Sequence, residues 1–266
     1  MEPRAEVGSA VVSTLDDLDR PDRYPLSSKY DPAWLLELDM GPNPLWLLED
    51  LSQDLDLRPG MRVLDLGSGK GATSVFLARE FGVEVVAADL WVAPDDAAAV
   101  FVAAGVDDRV QAVKAEAHAL PFAAGYFDAV LCIDAYEYFG TADNYLAYIT
   151  RFIQPGGQLA IATPAMHREV RELGAIPEHI KRCVGWEAIA WHTAQWWRFQ
   201  WEITGLVSVH AARMQEGGWE DWLRWHVATT AAREPELDAT DTVRAMLEAD
   251  QGEYLSFALV AARTTA

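Results

Sequence analysis

Between residues 58 and 163 the apolar positions fall into two alternating kinds of block. One kind is apolar almost throughout: residues 63–66, 83–88, 110–115, 128–133 and 158–163. Short runs without polar alternation predict strands buried on both faces. The other kind repeats at helical spacing. Residues 72–81 carry Val75, Phe76 and Ala78 and stop at Gly82. A second helix starts at Pro94 and stops at Gly105, and a third bears Tyr145, Leu146, Ile149 and Phe152 behind a Thr141 cap. Strand–helix alternation of this kind predicts a parallel sheet covered by helices on both faces.

The flanks read differently. Residues 1–27 are polar and proline-bearing, with a short apolar patch at Val11 and Val12, and predict a loose arm. A short helix is expected after Pro32. Asn43 and Pro44 are suited to the cap and first position of another, over 44–57, with Leu45, Leu48, Leu51 and Leu55 on one face. After 163, Thr193 caps a helix rich in tryptophan, 206–213 alternates like a strand, 217–250 reads as two helices broken near Pro235, and 254–262 is a last strand. The expected fold class is α/β, doubly wound, a mostly parallel seven-stranded sheet with helices on both faces. An N-terminal helical lid and a helical excursion between the last two strands complete it. The expected organisation is an arm and lid over 1–57, a core over 58–163, and a C-terminal part of the same domain over 164–266.

The first strand runs into Gly67-Ser68-Gly69-Lys70-Gly71, a turn whose glycines let the backbone lie close to a ligand before a helix opens. Asp65 is out of place in that strand, because a buried carboxylate needs a partner. Asp89, Glu116 and Asp134 stand at the ends of the next three strands. Ligands of such sheets bind at the strands' carboxyl ends, so the four acids predict one site.

Composition narrows the classes. The chain has 266 residues, is 51% hydrophobic and carries a formal net charge of −20, with no Lys/Arg cluster, which argues against nucleic acid as a partner. No apolar run is long enough to span a membrane, and the start lacks a secretory pattern, so no membrane partner and a cytoplasmic location are expected. Cys132 and Cys183 have no paired spacing and the histidines no metal-ligand spacing, so no metal is expected.

The segment Val63-Leu64-Asp65-Leu66-Gly67-Ser68-Gly69-Lys70-Gly71 resembles the first motif of class I S-adenosylmethionine-dependent methyltransferases. Asp89, the run from Glu116 to Phe122 through Leu120-Pro121, Phe127-Asp128-Ala129-Val130, and Ile153-Gln154-Pro155-Gly156-Gly157 resemble its later motifs, in order. The resemblance implies S-adenosyl-L-methionine as cofactor. It implies that Asp65 meets the ammonium, directly or through water, and that Gly67, Ser68, Gly69 and Gly71 cradle the amino-acid part. Asp89 would then accept both ribose hydroxyls, Leu90 and Trp91 sandwich the adenine, and Glu116 and Ala117, with His118 at the rim, read its edge. Glu116 departs from the aspartate common at that position. A dinucleotide-dependent oxidoreductase is the alternative, but its fingerprint is G-x-G-x-x-G, whereas the glycines here are G-x-G-x-G. A non-catalytic protein that keeps the cofactor pocket is the third reading.

Methyl transfer from a sulfonium is an in-line displacement on an activated donor, so alignment matters more than a catalytic triad. The expected acceptor is a small molecule, and the sequence does not say which one or in what oligomeric state. Catalytic candidates are Asp134, Glu137 and Tyr138 after the fourth strand, with His192 as a possible base. Asp134 is also expected at the cofactor's methionine end. Lid candidates are Tyr30, Met40, Gly41 and Asn43. Eight of the eleven tryptophans lie between 186 and 225; most are expected in the core, with Trp196 and Trp197 as candidates for a substrate wall.

Overall fold

The computed structural model describes residues 15–233 and 242–265. The Val11–Val12 patch and the break near Pro235 lie outside the described residues.

A 3-10 turn at Leu15–Leu18 opens the described chain. The loose arm expected up to residue 27 is corrected from residue 15 onward. Tyr24 stacks on Trp46 with ring centroids 5.3 Å apart and donates its hydroxyl to Asp221 at 2.6 Å. Helix α1 (Pro32–Glu37) starts where Asp31 accepts the Ala33 amide. Helix α2 (Pro44–Ser52) starts where Asn43 accepts the amides of Leu45 and Trp46, at 3.0 and 3.2 Å. It stops five residues short of the expected end, because Gln158 takes the backbone N–H and C=O of Asp56 into two side-chain hydrogen bonds, both 2.9 Å.

The core follows in order: β1 (Arg62–Leu66), α3 (Ala72–Phe81), β2 (Glu84–Asp89), α4 (Pro94–Ala104), β3 (Val110–Lys114), β4 (Phe127–Ile133), α5 (Tyr145–Ile149) and β5 (Ile153–Met166). Thr141 caps nothing; α5 begins after Asn144 with no side-chain cap. Strand β5 runs past residue 163 because an antiparallel partner continues the ladder as far as Met166. Then come α6 (Val170–Leu173), α7 (Glu178–Val184), α8 (Ala194–Glu202), β6 (Val207–Met214), α9 (Gly218–Arg233), α10 (Thr242–Asp250) and β7 (Leu255–Thr264). Thr193 caps α8 by accepting the Trp196 amide at 3.1 Å.

The seven strands form one sheet in the order β3-β2-β1-β4-β5-β7-β6, all parallel except β7, which is antiparallel to both neighbours. Chain direction along the sheet reverses between β1 and β4, the position where a doubly wound sheet leaves a crevice at its carboxyl edge. Alternate residues serve opposite layers. Val63, Val85 and Leu131 pack with α2, α3 and α4. Leu64, Leu66, Val130 and Leu159 pack with α5 and with Trp197 and Trp201 of α8. Eight of the tryptophans cluster in sequence for this reason in part: Trp197, Trp201 and Trp225 are among the largest fully buried side chains. Trp197 is therefore a core residue and not a substrate wall. The helical excursion between the last two strands is α9 and α10. Among the described residues no helix is long and apolar enough to cross a membrane, and no cluster of metal-ligating side chains is present.

Candidate active site

Asp65 ends up behind the glycine turn. It is 1% exposed, and its Oδ2 accepts hydroxyl hydrogen bonds from Thr73 and Ser74 of α3, both at 2.6 Å. Burial pushes its carboxyl up to about 6, the two hydroxyls oppose the shift, and Asp89 adds to it. Asp65 does not line the cleft, so a direct contact with a ligand ammonium is corrected. It anchors the first turn of α3 to β1 instead.

The turn itself floors a cleft of about 290 Å³ across the carboxyl ends of β1, β2 and β4. Gly67 (φ 76°) and Gly69 (φ 53°) are left-handed. A Cβ on Gly67 would stand 2.6 Å from that of Ala135, and one on Gly69 would stand 2.9 Å from Sδ of Met40. Both therefore need glycine for conformation and for space. Ser68 and Lys70 line the same floor, whereas Gly71 sits outside it as the N-cap of α3.

Asp89 organises the turn. Its Oδ2 accepts the Gly69 amide at 2.9 Å, and its Oδ1 accepts those of Trp91 and Val92 at 2.7 and 2.9 Å. The expected two-oxygen grip on a ribose diol is corrected accordingly, since three backbone donors already occupy the carboxylate. Beyond it the cleft is walled by Leu90, Trp91, Ala117, His118, Tyr138 and Phe139. Trp91 and Tyr138 meet edge to face at 6.0 Å. Glu116 also lines the cleft, but its carboxylate turns back on His118, accepting the backbone N–H at 2.9 Å and meeting Nδ1 at 2.8 Å. The His118 hydrogen bond holds Glu116 below the usual carboxylate range.

At the other end lies Asp134, in the left-handed region at φ 54°, with its amide pinned to Ala162 O at 2.7 Å. Burial, then Glu137, then Asp39 push its carboxyl well above the ordinary range. No described hydrogen bond or ion pair reaches that carboxylate. The turn between α1 and α2 covers it: Met40 leans on Gly69, and a Cβ on Gly41 would lie 2.6 Å from Asp134 Oδ2. Trp225 of α9 holds this turn by donating Nε1–H toward Asp39 Oδ1 at 2.9 Å and Gly41 O at 3.0 Å. Lys70 adds a third tie, donating to Glu37 O at 2.9 Å.

Glu137 is buried and not among the residues that line the cleft; it accepts the Thr163 hydroxyl at 2.7 Å. Burial pushes it up to about 7, with the Thr163 bond opposing and Glu187 reinforcing. Tyr138 is 63% exposed at the cleft mouth. His192 is not on the cleft. It stacks on Trp196 at 3.6 Å and pairs through Nδ1 with Glu169 at 2.8 Å. Tyr30 and Asn43 face a different cavity. The residues that sequence reasoning missed are Thr73, Ser74, Asp39 and Trp225. The two hydroxyls just inside a helix that follows an acid-bearing strand were a usable signal. Trp225 reaches across 186 positions and left none.

Comparison with known proteins agrees with this geometry. Residues 64–161 match the family described as a methyltransferase domain. Methyltransferase GfsG of Streptomyces halstedii is 35% identical over 121 residues, 44% of this chain and 42% of that protein. Residues 64–161 are thus similar to the methyltransferase domain of S-adenosylmethionine-dependent methyltransferases. A demethylmenaquinone methyltransferase of Beutenbergia cavernae shares 34% identity over 165 residues, 60% of this chain and 61% of that one. The matched stretches thus span about half the length of these relatives. The fold is that of an S-adenosylmethionine-dependent methyltransferase from Geobacter sulfurreducens, solved with S-adenosyl-L-homocysteine (TM-score 0.62, 22% identity, 93% of this chain and 99% of that one).

The family's cofactor suits the residues present. It is cationic at its methionine end and aromatic at its adenine end. The cleft has a carboxylate with no hydrogen bond or ion pair among the described residues, Asp134, at one end and the Leu90, Trp91 and Phe139 wall at the other. A half-buried carboxylate whose charged neighbours are other acids suits a cation.

Proposed function

We propose that the chain transfers a methyl group from S-adenosyl-L-methionine to a small-molecule acceptor. The observation that carries the reading is Asp134: a half-buried carboxylate with no hydrogen bond or ion pair among the described residues and with Glu137 and Asp39 as its charged neighbours, lining an aromatic-walled cleft. When bound, the cofactor supplies an electrophilic methyl on a positively charged sulfur.

The chain's own residues do the rest. Asp134 holds the cationic end, and the Gly67–Gly69 backbone lets the ligand lie against the floor. The Met40–Gly41 turn excludes water from the reacting end. Asp89 keeps the floor in shape through Gly69 and offers its remaining lone pair on Oδ2 to a ligand hydroxyl. Tyr138 presents its hydroxyl at the mouth, and Glu137, which does not line the cleft, favours loss of a proton from an acceptor through its charge beside Tyr138 and Asp134 as its ionised fraction grows. His192 is left out of this assignment, because Glu169 and Trp196 hold it away from the cleft.

Calorimetric titration with S-adenosyl-L-homocysteine, followed by release of that product from S-adenosyl-L-methionine over a panel of hydroxyl and amine acceptors, tests the proposal. Binding and acceptor-dependent release are expected. Absence of binding, with NADH bound instead, overturns the reading; binding without release from any acceptor leaves a cofactor-binding protein and overturns the catalytic part.

A further inference from the structure

Glu116 stands where aspartate is common in the resembling family, and its longer side chain curls onto the residue two places on. Its Oε2 accepts the His118 backbone N–H at 2.9 Å, and its Oε1 meets His118 Nδ1 at 2.8 Å. Both carboxylate oxygens are engaged within the chain, although Glu116 and His118 both line the cleft. To take a ligand's amine itself, Glu116 would have to release a backbone N–H that has no other acceptor among the described residues.

The pairing fixes a proton. The side-chain hydrogen bond to His118 holds Glu116 below the usual carboxylate range, so near neutral pH it is ionised and can only accept. Nδ1 must then carry the hydrogen of the 2.8 Å contact. In a neutral imidazole one nitrogen donates and the other accepts, so the lone pair sits on Nε2. No hydrogen bond reaches Nε2 among the described residues.

The ring is held where that lone pair is of use. It shares the cleft wall with Leu90, Trp91, Ala117 and Phe139. Tyr145 and Phe139 meet it edge to face, with centroids at 5.1 and 6.4 Å, yet the side chain stays 53% exposed and open to a ligand. Tyr145 also donates its hydroxyl to Ala117 O at 3.1 Å, while the Ala117 N–H makes no hydrogen bond among the described residues. Neighbouring residues thus offer one donor, Ala117 N–H, and one acceptor, His118 Nε2, beside flat apolar walls. Adenine is the complement of that pair, since its N1 accepts and its exocyclic amine donates. Hypoxanthine is the reverse, with an N1–H and a carbonyl.

We infer that His118 reads the adenine amine of S-adenosyl-L-methionine by accepting it at Nε2, and that Glu116 is a positioning residue that fixes the imidazole tautomer. The inference rests on the reading of the cleft as the methyl-donor site.

The test compares S-adenosyl-L-homocysteine with S-inosyl-L-homocysteine, which has a carbonyl in place of the amine, by calorimetry on the whole chain. The wild type is expected to prefer the adenosyl ligand about 100-fold, as a site built around a hydrogen bond rejects an analogue that reverses it. His118→Phe keeps an aromatic ring against Tyr145 and Phe139 and is expected to cut that preference about tenfold, through weaker adenosyl binding alone. Glu116→Gln offers Nδ1 either a donor or an acceptor and is expected to cut it severalfold, with the tautomers mixed. Nitrogen NMR on protein with isotope-labelled histidine reads the tautomer directly. The signals missing from His118→Phe are expected to show Nδ1 protonated and Nε2 bare in the wild type, with the Nε2 signal moving when S-adenosyl-L-homocysteine is added. A preference unchanged in His118→Phe, or a proton on Nε2 in the wild type, overturns the inference and leaves the donor reading standing. Failure of the wild type to bind either nucleoside overturns the donor reading and this assignment with it.

Discussion

Gly69 donates its backbone N–H to Asp89 at 2.9 Å, so the last residue of β2 holds the glycine turn that follows β1. The same carboxylate takes the Trp91 and Val92 amides, which makes it the joint between the floor and one wall of the cleft. Asp89→Ala removes all three bonds at once. Affinity for S-adenosyl-L-homocysteine is expected to fall about 100-fold, roughly 3 kcal/mol, as for loss of charge-assisted hydrogen bonds. Asp89→Asn retains an acceptor for the Trp91 and Val92 amides and is expected to lose about tenfold. Equal affinities in titration calorimetry would remove Asp89 from the site.

Asp65 acts on stability. Its folded carboxyl is held up to about 6, against 3.8 when exposed. Between those values the folded protein keeps a proton that the unfolded chain releases. Stability therefore falls as pH rises from about 4 to about 6, by up to about 3 kcal/mol at ~1.4 kcal/mol per unit. Asp65→Asn still accepts from Thr73 and Ser74 and does not titrate. Urea unfolding at pH 4 and pH 7 is expected to show the variant gaining on the wild type by about that amount.

Glu137 acts on rate. Burial holds it up to about 7. Its ionised fraction grows as pH rises through that value, so kcat/KM for an acceptor that loses a proton is expected to climb with a limb near pH 7. Glu137→Gln is expected to flatten the limb and lower the plateau about 100-fold. A limb unchanged in the variant assigns Glu137 to packing against Thr163 alone.

Gly41 acts on the lid. A methyl placed there lies 2.6 Å from Asp134 Oδ2, so Gly41→Ala is expected to push the α1–α2 turn off the cleft. Affinity for S-adenosyl-L-homocysteine should drop about tenfold, roughly 1.4 kcal/mol, with the unfolding midpoint little changed because the turn lies at the surface of the cleft. An unfolding midpoint that falls in step with affinity would show a general loss of packing instead.

Most of the architecture was legible in the chain. Apolar runs, glycine stops and the Asn43–Pro44 start signal are local, and strands such as Val63–Leu66 must be buried on both faces whatever surrounds them. The ends that were misplaced were set by distant partners. Gln158 closes α2 early through Asp56, and β7 carries β5 on to Met166. The site divided in the same way. Gly67, Gly69, Asp89, Glu116 and Asp134 came from motif and spacing, and the structure places them all on one cleft. The direction in which each carboxylate points did not come from spacing. Asp65 turned to two hydroxyls behind the floor, and Glu116 turned to His118.

The sequence by itself determined the strand order's raw material, the glycine turn, and the row of acids at the strand ends, because each follows from backbone sterics and burial within a few residues. Only the tertiary structure decided which acid on the cleft keeps an uncommitted carboxylate. Asp134 has that part because the elements that fold around it bring Glu137 and Asp39 and no base, while Trp225, 186 residues from Asp39, fastens the turn that covers it.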